Sequence, residues 1–266
     1  MRNSGIVIVA VAVIAVAAAV VSSSVIISSE KNSDGDRYGI ICAMSEEVEE
    51  LLNSLDETDC QKIGDTQFHV GKLCGKNVVV SECGIGKVNA AMCAQTMITH
   101  FKAKWIINSG IAGTISPEVG IGNIVISTET VQHDYDYTEM GYAPGEVPNV
   151  GTVAIKADDK LREAAANAIS KTTLGTKVFQ GRICTGDQFI AGEDEMKKIT
   201  DVFGGLCCEM EGGAIAQVSY LNKVPFVIIR AISDDVDGGG PEDFIKFEKE
   251  MSALCAKMTM EMLKEL

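Results

Sequence analysis

The stretch VPFVIIRAISDDVDGG, residues 224–239, indicates both the fold and the place of a site. Within it, residues 226–232 form a short apolar run rich in β-branched side chains, which predicts a buried strand. Carboxylates follow this run at Asp234 and Asp235. A lone Asp after a strand is more often a turn former or a helix cap than a catalyst. These carboxylates therefore gain a functional interpretation only together with the other strand ends.

Apolar runs alternate with amphipathic stretches from residue 38 to residue 266. YGIICAM (38–44) predicts a strand, and EEVEELLNSL (46–55) has its apolar residues at helical spacing. Residues 68–83 predict a hairpin that turns near Gly75. The other predicted elements are strands at 105–110, 123–131, 177–185 and 206–210, and helices at 87–101, 158–169, 212–221 and 247–266. Strands alternating with helices predict an α/β domain with a mostly parallel sheet.

The first 37 residues differ from the rest and predict a signal peptide or membrane anchor followed by a polar linker. Arg2 precedes an uncharged run over residues 5–27, and about 20 apolar residues are enough to cross a bilayer. The small serines near the end of the run would equally suit a signal peptidase. A positive charge before the run favours a topology in which the following domain lies outside the cytoplasm. We therefore expect residues 38–266 to be exported or membrane-anchored, outside the cytoplasm.

Composition bears on partners and on location. The formal net charge of −14 works against binding nucleic acid, because a protein needs a cationic surface to displace counterions from phosphates. The nine cysteines are scattered through mostly apolar contexts, without the spacing of a disulfide framework or a zinc site. Such cysteines are typical of a reducing compartment. A cytoplasmic location is therefore the alternative to export.

The predicted strands end in small, glycine or acidic residues, which suit the floor of a small-molecule site at the carboxyl edge of a sheet. Glu47 falls in the first turn of a helix, where a carboxylate also suits the helix dipole. Glu209 and Glu211 are two apart on a short predicted strand, so both would project to one side. GIGK (84–87) is either an anion cradle or only a turn. HDYDYTEMGY (133–142) is weak support for a metal site, since it has one His beside two Asp.

Taken together, the segments resemble one family over residues 38–266: the 5'-methylthioadenosine/S-adenosylhomocysteine nucleosidases of the nucleoside phosphorylase superfamily. No single motif is decisive, but the ordered set is specific. The motifs are GIICAMSEEVEEL (39–51), SECGIGKVNAA (81–91), INSGIAG (107–113), HDYDYT (133–138), TGDQFI (185–190), EMEGGAIA (209–216) and VIIRAISDDVD (227–237). The resemblance implies a single three-layer α/β/α domain with a central mixed, mostly parallel sheet. It also implies hydrolysis of the N-glycosidic bond of methylthioadenosine and S-adenosylhomocysteine.

The resemblance also implies catalytic roles for individual residues. Asp234 looks like the general acid that protonates N7 of adenine, and Ser233 beside it looks like a residue that orients this acid. Protonation of a leaving group by a positioned carboxylic acid is worth about 10² to 10⁴-fold. Glu47 looks like the residue that positions and deprotonates the attacking water.

Other residues are expected to bind the substrate, again by resemblance. Glu211 is similar to the glutamate that binds the ribose 2'- and 3'-hydroxyls, and Glu209 to the one that supports the water site. Anionic groups suit this reaction because positive charge develops on the ribose. Met210 would lie against the sugar, and Phe189 would stack on adenine while the backbone of Ile190 reads the base edge. Without the resemblance, Phe189 would be interpreted as a core aromatic residue.

The chain departs from the family pattern at two places. Cys83 stands where relatives commonly carry serine near the ribose or the water, so a hydrogen bond there is expected to be weaker. Met140 stands where relatives often have an aromatic residue of the 5'-alkylthio pocket, whereas Tyr142 keeps the pattern. The preference for the 5'-substituent is therefore open.

Two other functions remain as alternatives. A phosphate-dependent purine nucleoside phosphorylase needs a cationic anion site, yet no arginine lies in GIGK or NSGIAG, and Arg230 lies inside the apolar strand. A non-catalytic, exported nucleoside-binding protein would keep the fold without the chemistry. The resemblance implies no metal or organic cofactor. It also implies a homodimer in which the loop over residues 133–150 completes the partner's site.

Overall fold

The computed structural model describes residues 36–169, 176–235 and 240–266. Its strands are β1 (Arg37–Cys42), β2 (Asp56–Ile63), β3 (Thr66–Leu73), β4 (Lys76–Glu82), β5 (Trp105–Thr114), β6 (Ile124–Gln132), β7 (Ala154–Lys156), β8 (Val178–Thr185), β9 (Cys207–Glu209) and β10 (Phe226–Asp234). Its helices are α1 (Ser45–Asn53), α2 (Lys87–Thr99), α3 (Asp159–Ile169), α4 (Glu193–Phe203), α5 (Gly212–Asn222) and α6 (Gly240–Glu265). The predicted signal or anchor segment lies outside the described residues. Within the ranges just given, no helix is long and apolar enough to cross a membrane.

One mixed sheet contains all ten strands, which confirms the predicted fold class. Strands β4, β1, β5 and β10 lie side by side and parallel. The antiparallel hairpins of β2, β3 and β4 extend this sheet on one side. On the other side β10 pairs with β6, β6 with β8, and β8 with β9, and β9 returns to pair with β5. Five strands thus close into a ring around the site described below.

Helices cover both faces of the sheet, as the predicted three-layer arrangement requires. Side chains of α1, α3 and α6 pack in one apolar cluster, for example Leu51, Leu161 and Met251. Those of α2 and α5 pack in a second cluster, for example Met97 and Ile215. The central strands contribute alternate residues to the two clusters and are buried on both sides, so they read as continuous apolar runs.

Several elements differ from the sequence-based expectation. No strand is predicted at β2 or β7 and no helix at α4, and α6 begins at Gly240 rather than at residue 247. Strand β2 is mostly exposed and has the polar sequence DETDCQKI, so it carries no alternation of apolar and polar residues. Helix α4 does bury Met196, Ile199 and Phe203 at helical spacing, a signal that the sequence contains.

The closure of the sheet brings the ends of three strands together. Strand β9 pairs with only the last residues of β5, where Cys208 lies opposite Gly113. Asp234, the last residue of β10, lies opposite the same glycine on its other side. The carboxyl ends of β5, β9 and β10 therefore meet at one place, which is where ligands bind in sheets of this kind.

Candidate active site

A fully buried guanidinium lies at the centre of the site. Nη2 of Arg230 donates to Oδ1 of Asn108 at 2.5 Å and to a carboxylate oxygen of Glu209, and its distance to Oε2 of Glu211 is 3.4 Å. Nη1 of Arg230 lies 3.8 Å from Oε1 of Glu47. Charged groups are buried only when they are paired. One cation thus joins Glu47, from the start of the domain, to Glu209 and Glu211, more than 160 residues later in the sequence.

Glu47 is held by backbone amides as well as by Arg230. Its Oε2 accepts hydrogen bonds from the N–H groups of Ala43 at 2.6 Å and Met44 at 3.1 Å, and its Oε1 from that of Ile111 at 2.8 Å. The first two donors belong to the start of α1, so the carboxylate serves the helix terminus and faces the site at once. Burial raises the pKa of Glu47, while Arg230 and the three amides oppose this shift.

Glu209 and Glu211 converge by a different route from the one expected. Strand β9 ends at Glu209, and Glu211 is the residue that precedes the first turn of α5. Oε2 of Glu209 accepts from the N–H groups of Glu211 at 3.0 Å and Gly212 at 2.6 Å, so it caps this helix. Oε1 of Glu211 accepts from the N–H of Gly86 at 2.8 Å. Burial raises the pKa of Glu211 to about 7, against the effect of Arg230.

Asp234 has a poorer set of partners. Oγ of Ser233 donates to its Oδ1 at 2.7 Å. Burial raises the pKa of Asp234 to about 6; the Ser233 bond opposes the shift, and the charges of Asp243 and Asp235 add to it. Gly113 leaves the room for this carboxyl group, because a Cβ at that position would clash with Oδ2 of Asp234.

One pocket joins these groups. It opens to solvent, and its lining is mostly apolar with a few convergent polar groups, as is usual in small-molecule sites. Eight of the predicted site residues line it, namely Glu47, Phe189, Ile190, Glu209, Met210, Glu211, Ser233 and Asp234. Phe189 is 50% exposed, so it is not a core aromatic residue. The pocket is lined by carboxyl groups at its base and by apolar side chains elsewhere, so it suits a ligand with an apolar body and hydroxyl groups.

Comparison with known proteins identifies the family. The model of the phosphorylase superfamily matches residues 37–264. A 5'-methylthioadenosine/S-adenosylhomocysteine nucleosidase of Shewanella loihica is 40% identical over 232 residues, covering 86% of this chain and 100% of the relative. The chain belongs to this nucleosidase family. It is therefore an enzyme of the glycosidic hydrolase type, and the predicted family is confirmed.

Solved structures of nucleosidases agree with this family assignment. The Neisseria meningitidis nucleosidase in complex with methylthio-immucillin-A has a TM-score of 0.84 and 38% identity, with coverage of 87% of this chain and 100% of that one. The Colwellia psychrerythraea nucleosidase in complex with adenine also has a TM-score of 0.84, with 34% identity and coverage of 88% and 96%. This nucleosidase domain thus shares its fold with proteins that hold adenine or an immucillin.

Two predicted binding residues lie off the pocket of this nucleosidase. Cys83 is buried behind the site, where burial raises the pKa of its thiol and the charges of Glu211 and Glu47 add to the shift. Tyr142 is 37% exposed and stacks on Tyr137 with ring centroids 5.4 Å apart. Met140, where the chain departs from the family pattern, is 63% exposed on the same loop. Neither Cys83 nor Tyr142 lines the pocket within this chain.

Sequence reasoning missed several residues of the site. Phe244 in α6 lines the pocket and meets the ring of Phe189 edge-on, with centroids 5.7 Å apart. Arg230 is the larger omission, and its signal is plain: an arginine inside an otherwise apolar, buried strand requires buried anionic partners. Gly110 is a related signal, because a Cβ there would clash with Arg230 and Glu47.

The two motifs left open by the sequence now have partners within the protein. The backbone N–H of Lys87, in GIGK, donates to Asp187, and its ammonium group contacts Asp134, in HDYDYT. The carboxylate of Asp136 caps the turn at Thr138. In the described part of the chain, no group of three or more His, Cys, Asp or Glu is arranged to hold a metal ion. The anions at GIGK are therefore the protein's own carboxylates.

Proposed function

We propose that this enzyme hydrolyses the N-glycosidic bond of 5'-methylthioadenosine and S-adenosylhomocysteine, releasing adenine and the 5'-thioribose product. One observation carries the proposal: a single pocket places a buried carboxyl group with a raised pKa, Asp234, with a carboxylate cluster around Arg230. Burial raises the pKa on both sides, but only the cluster contains a cation that favours the charged carboxylate. The ligands of the structural relatives, adenine and methylthio-immucillin-A, support the same substrate class.

Asp234 is the acid in this proposal. With a pKa of about 6 it keeps a proton in a useful fraction of molecules near neutral pH. Transfer of that proton to N7 makes adenine a neutral leaving group as the bond between N9 and C1' breaks. The hydrogen bond from Ser233 at 2.7 Å orients the carboxyl group for this transfer.

Glu47 is the base that accepts a proton from the attacking water. Its carboxylate is kept in place by three backbone N–H groups, so it is preorganised before the substrate arrives. Arg230, which pairs with Glu209, supplies the positive charge on this side of the pocket. Glu211 is assigned to the ribose 2'- and 3'-hydroxyls. The negative charge of these groups also stabilises the oxocarbenium-like ribose of the transition state.

The remaining roles follow the lining of the pocket. Phe189 and Phe244, which line the pocket, are assigned to the face of the adenine ring, and the backbone of Ile190 is assigned to its edge. Met210 is assigned to the face of the sugar. These apolar groups would bury the base and exclude bulk water from the breaking bond, which strengthens the electrostatic contacts inside the pocket.

Water is favoured over phosphate as the nucleophile. Among the described residues that line the pocket there is no lysine or arginine, and the nearby Arg230 is already engaged by three glutamates. A phosphate dianion would meet carboxylates at short range, which costs free energy in a buried site. A phosphorylase would need the opposite arrangement of charge.

The test is adenine release by the purified full-length chain from each of the two nucleosides, with and without phosphate. We expect release at the same rate in phosphate-free buffer. Release only with phosphate would instead establish a phosphorylase. Binding of the nucleoside without any release would establish the non-catalytic binding protein.

We propose further that the enzyme is a homodimer. Val88 and Met92 are exposed by 71% and 61% one turn apart on α2, and Ile85, in the loop just before this helix, is 53% exposed and lines the pocket. Exposed apolar clusters of this kind mark interaction surfaces, and a partner there would lie beside the pocket mouth. Analytical ultracentrifugation tests this: a monomer at micromolar concentration would contradict it.

Export or membrane attachment is proposed from residues 5–27 alone, whose sequence is uncharged and apolar. Cell fractionation with an antibody to the folded domain tests it. Recovery in the membrane or outside the cytoplasm supports the proposal, and recovery only in the cytosol contradicts it.

A further inference from the structure

Three loops at the mouth of the pocket are joined by one lysine. The first loop contains Gly86 and leads from β4 to Lys87, the first residue of α2. The second follows β6 and contains Asp134, and the third follows β8 and contains Asp187. Nζ of Lys87 lies 2.6 Å from Oδ1 of Asp134. The N–H of Asp187 donates to Oδ2 of Asp134 at 2.9 Å, and the N–H of Lys87 donates to Oδ1 of Asp187 at 2.8 Å. These contacts form a closed ring of three residues.

The ion pair of this ring is less exposed to solvent than an ordinary surface ion pair. The side chains of Lys87 and Asp134 are only 17% and 19% exposed, so solvent and salt screen their attraction less than at a free surface. Burial raises the pKa of Asp134, but its bonds from Lys87 and from the amide of Asp187 outweigh this and lower it overall. Gly86, with φ of +99°, lets the chain approach Asp187, since a Cβ there would lie 3.2 Å from Oδ1.

The ring is connected to both halves of the substrate pocket. The N–H of Gly86, one residue before Lys87, donates to Oε1 of Glu211 at 2.8 Å. Phe189 lies two residues after Asp187 on the same loop and lines the pocket. Movement of either loop would therefore change the separation between the group assigned to the ribose and the group assigned to the base.

We propose that Lys87 is a positioning residue, whose ring with Asp134 and Asp187 holds the ribose-binding Glu211 and the adenine-stacking Phe189 at a fixed separation. This inference rests on the proposed function. Lys87 touches neither the substrate nor the reacting atoms in this arrangement. It acts by pre-ordering two subsites, so that less conformational entropy is lost when the nucleoside binds.

The first test replaces Lys87 by methionine, which keeps an unbranched stem and removes the charge. We expect the KM for methylthioadenosine to rise about tenfold or more while kcat changes by less than about threefold, since loss of binding in ground and transition states alike raises KM alone. Lys87→Arg keeps a cation for Asp134 and should retain most of the affinity. The matched control is Lys197→Met, because Lys197 pairs with Asp201 at 2.7 Å within α4, where both side chains are exposed.

The second test asks whether the ring acts as a unit. Asp134→Asn should raise KM to a similar degree, and the double variant Lys87→Met with Asp134→Asn should be no worse than either single change, since partners in one network are not additive. Additive effects, an unchanged KM, or an equal loss in the Lys197 control would overturn the proposal. Asp134→Asn also serves if Lys87→Met fails to fold.

A separate measurement keeps this inference distinct from the proposed function. Calorimetric titration with adenine measures the base subsite without any turnover. If the wild-type chain binds adenine but releases none from nucleosides, the hydrolase proposal fails. The proposal about Lys87 is then tested by adenine binding alone. Weaker adenine binding by Lys87→Met, with normal binding by Lys197→Met, supports the ring; equal binding by all three proteins contradicts it.

Discussion

The two sides of the pocket hold the same chemical group in opposite surroundings. Glu47 and Asp234 are each 2% exposed. Glu47 accepts three backbone hydrogen bonds and lies near a buried guanidinium, whereas Asp234 accepts a hydrogen bond from the hydroxyl of Ser233. The charges near Asp234 are those of Asp243 and Asp235, which are negative.

The difference shows how the same chemical group, a carboxyl, can meet opposite electrostatic surroundings in one pocket. Burial raises the pKa on both sides. On the Glu47 side a cation and backbone dipoles favour the carboxylate, while on the Asp234 side nearby anions favour the protonated acid. Environment rather than residue identity sets the proton state. Substitution of the charged or hydrogen-bonding groups on either side should therefore have a distinct and measurable effect.

The largest effect is expected on removing the acid. Asp234→Asn keeps the size of the side chain but cannot deliver a proton to N7, so kcat for adenine release should fall by about 10² to 10⁴-fold. A continuous assay of adenine release measures this, and circular dichroism confirms the fold. Asp201→Asn in the exposed α4 pair is the matched control. A loss of less than tenfold in the Asp234 variant would show that another group protonates the base.

The next effect concerns the cation on the opposite side. Arg230→Met leaves buried carboxylates uncompensated, so the free energy of unfolding should fall by about 3–5 kcal/mol at neutral pH. The penalty should shrink as pH falls. The folded pKa of Glu211 is raised to about 7, above its unfolded value of about 4.3. As the pH falls, Glu211 is therefore protonated in the folded state before it is protonated in the unfolded state, and its buried negative charge is removed. Urea unfolding at pH 7 and pH 5 measures both quantities. An equal loss at the two pH values would mean that packing, not charge, dominates.

The smallest effect is a pair of opposite pH shifts. Because Asp234 must be protonated, kcat/KM should fall as pH rises through about 6. Ser233→Ala removes a bond that stabilises the carboxylate, so this fall should move to higher pH. Asp243→Asn removes a negative neighbour, so the fall should move to lower pH, in each case by no more than about one unit. Full pH profiles of the two variants decide this, and shifts in the same direction would refute the account of the acid.

Much of the fold and part of the site could be predicted from the sequence. The hydrophobic periods identify most strands and helices, but strand β2 escapes because an exposed edge strand has no apolar period. The predicted residues Glu47 and Asp234 do line one pocket. The paired placement of Glu209 and Glu211 was expected from strand geometry, yet it depends on the turn that follows Glu209.

Other site features could not be predicted because they join distant residues. Arg230 contacts Asn108, 122 positions earlier, and Lys87 contacts Asp134 and Asp187 from different loops. No local pattern encodes such pairs, since they arise when the sheet closes and brings separate strand ends together. Phe244 is missed for the same reason, because it reaches the pocket from a helix that follows the last strand.

The sequence by itself determined the α/β alternation, the acidic strand ends and the family, because periodicity and ordered motifs are properties of the chain read locally. Only the tertiary structure decided which carboxylates share a cation and which do not. In the folded domain Glu47, Glu209 and Glu211 lie around Arg230, whereas Asp234 lies near other anions. Proton affinity depends on burial and on the charges within a few ångströms, and those distances exist only after the sheet has closed.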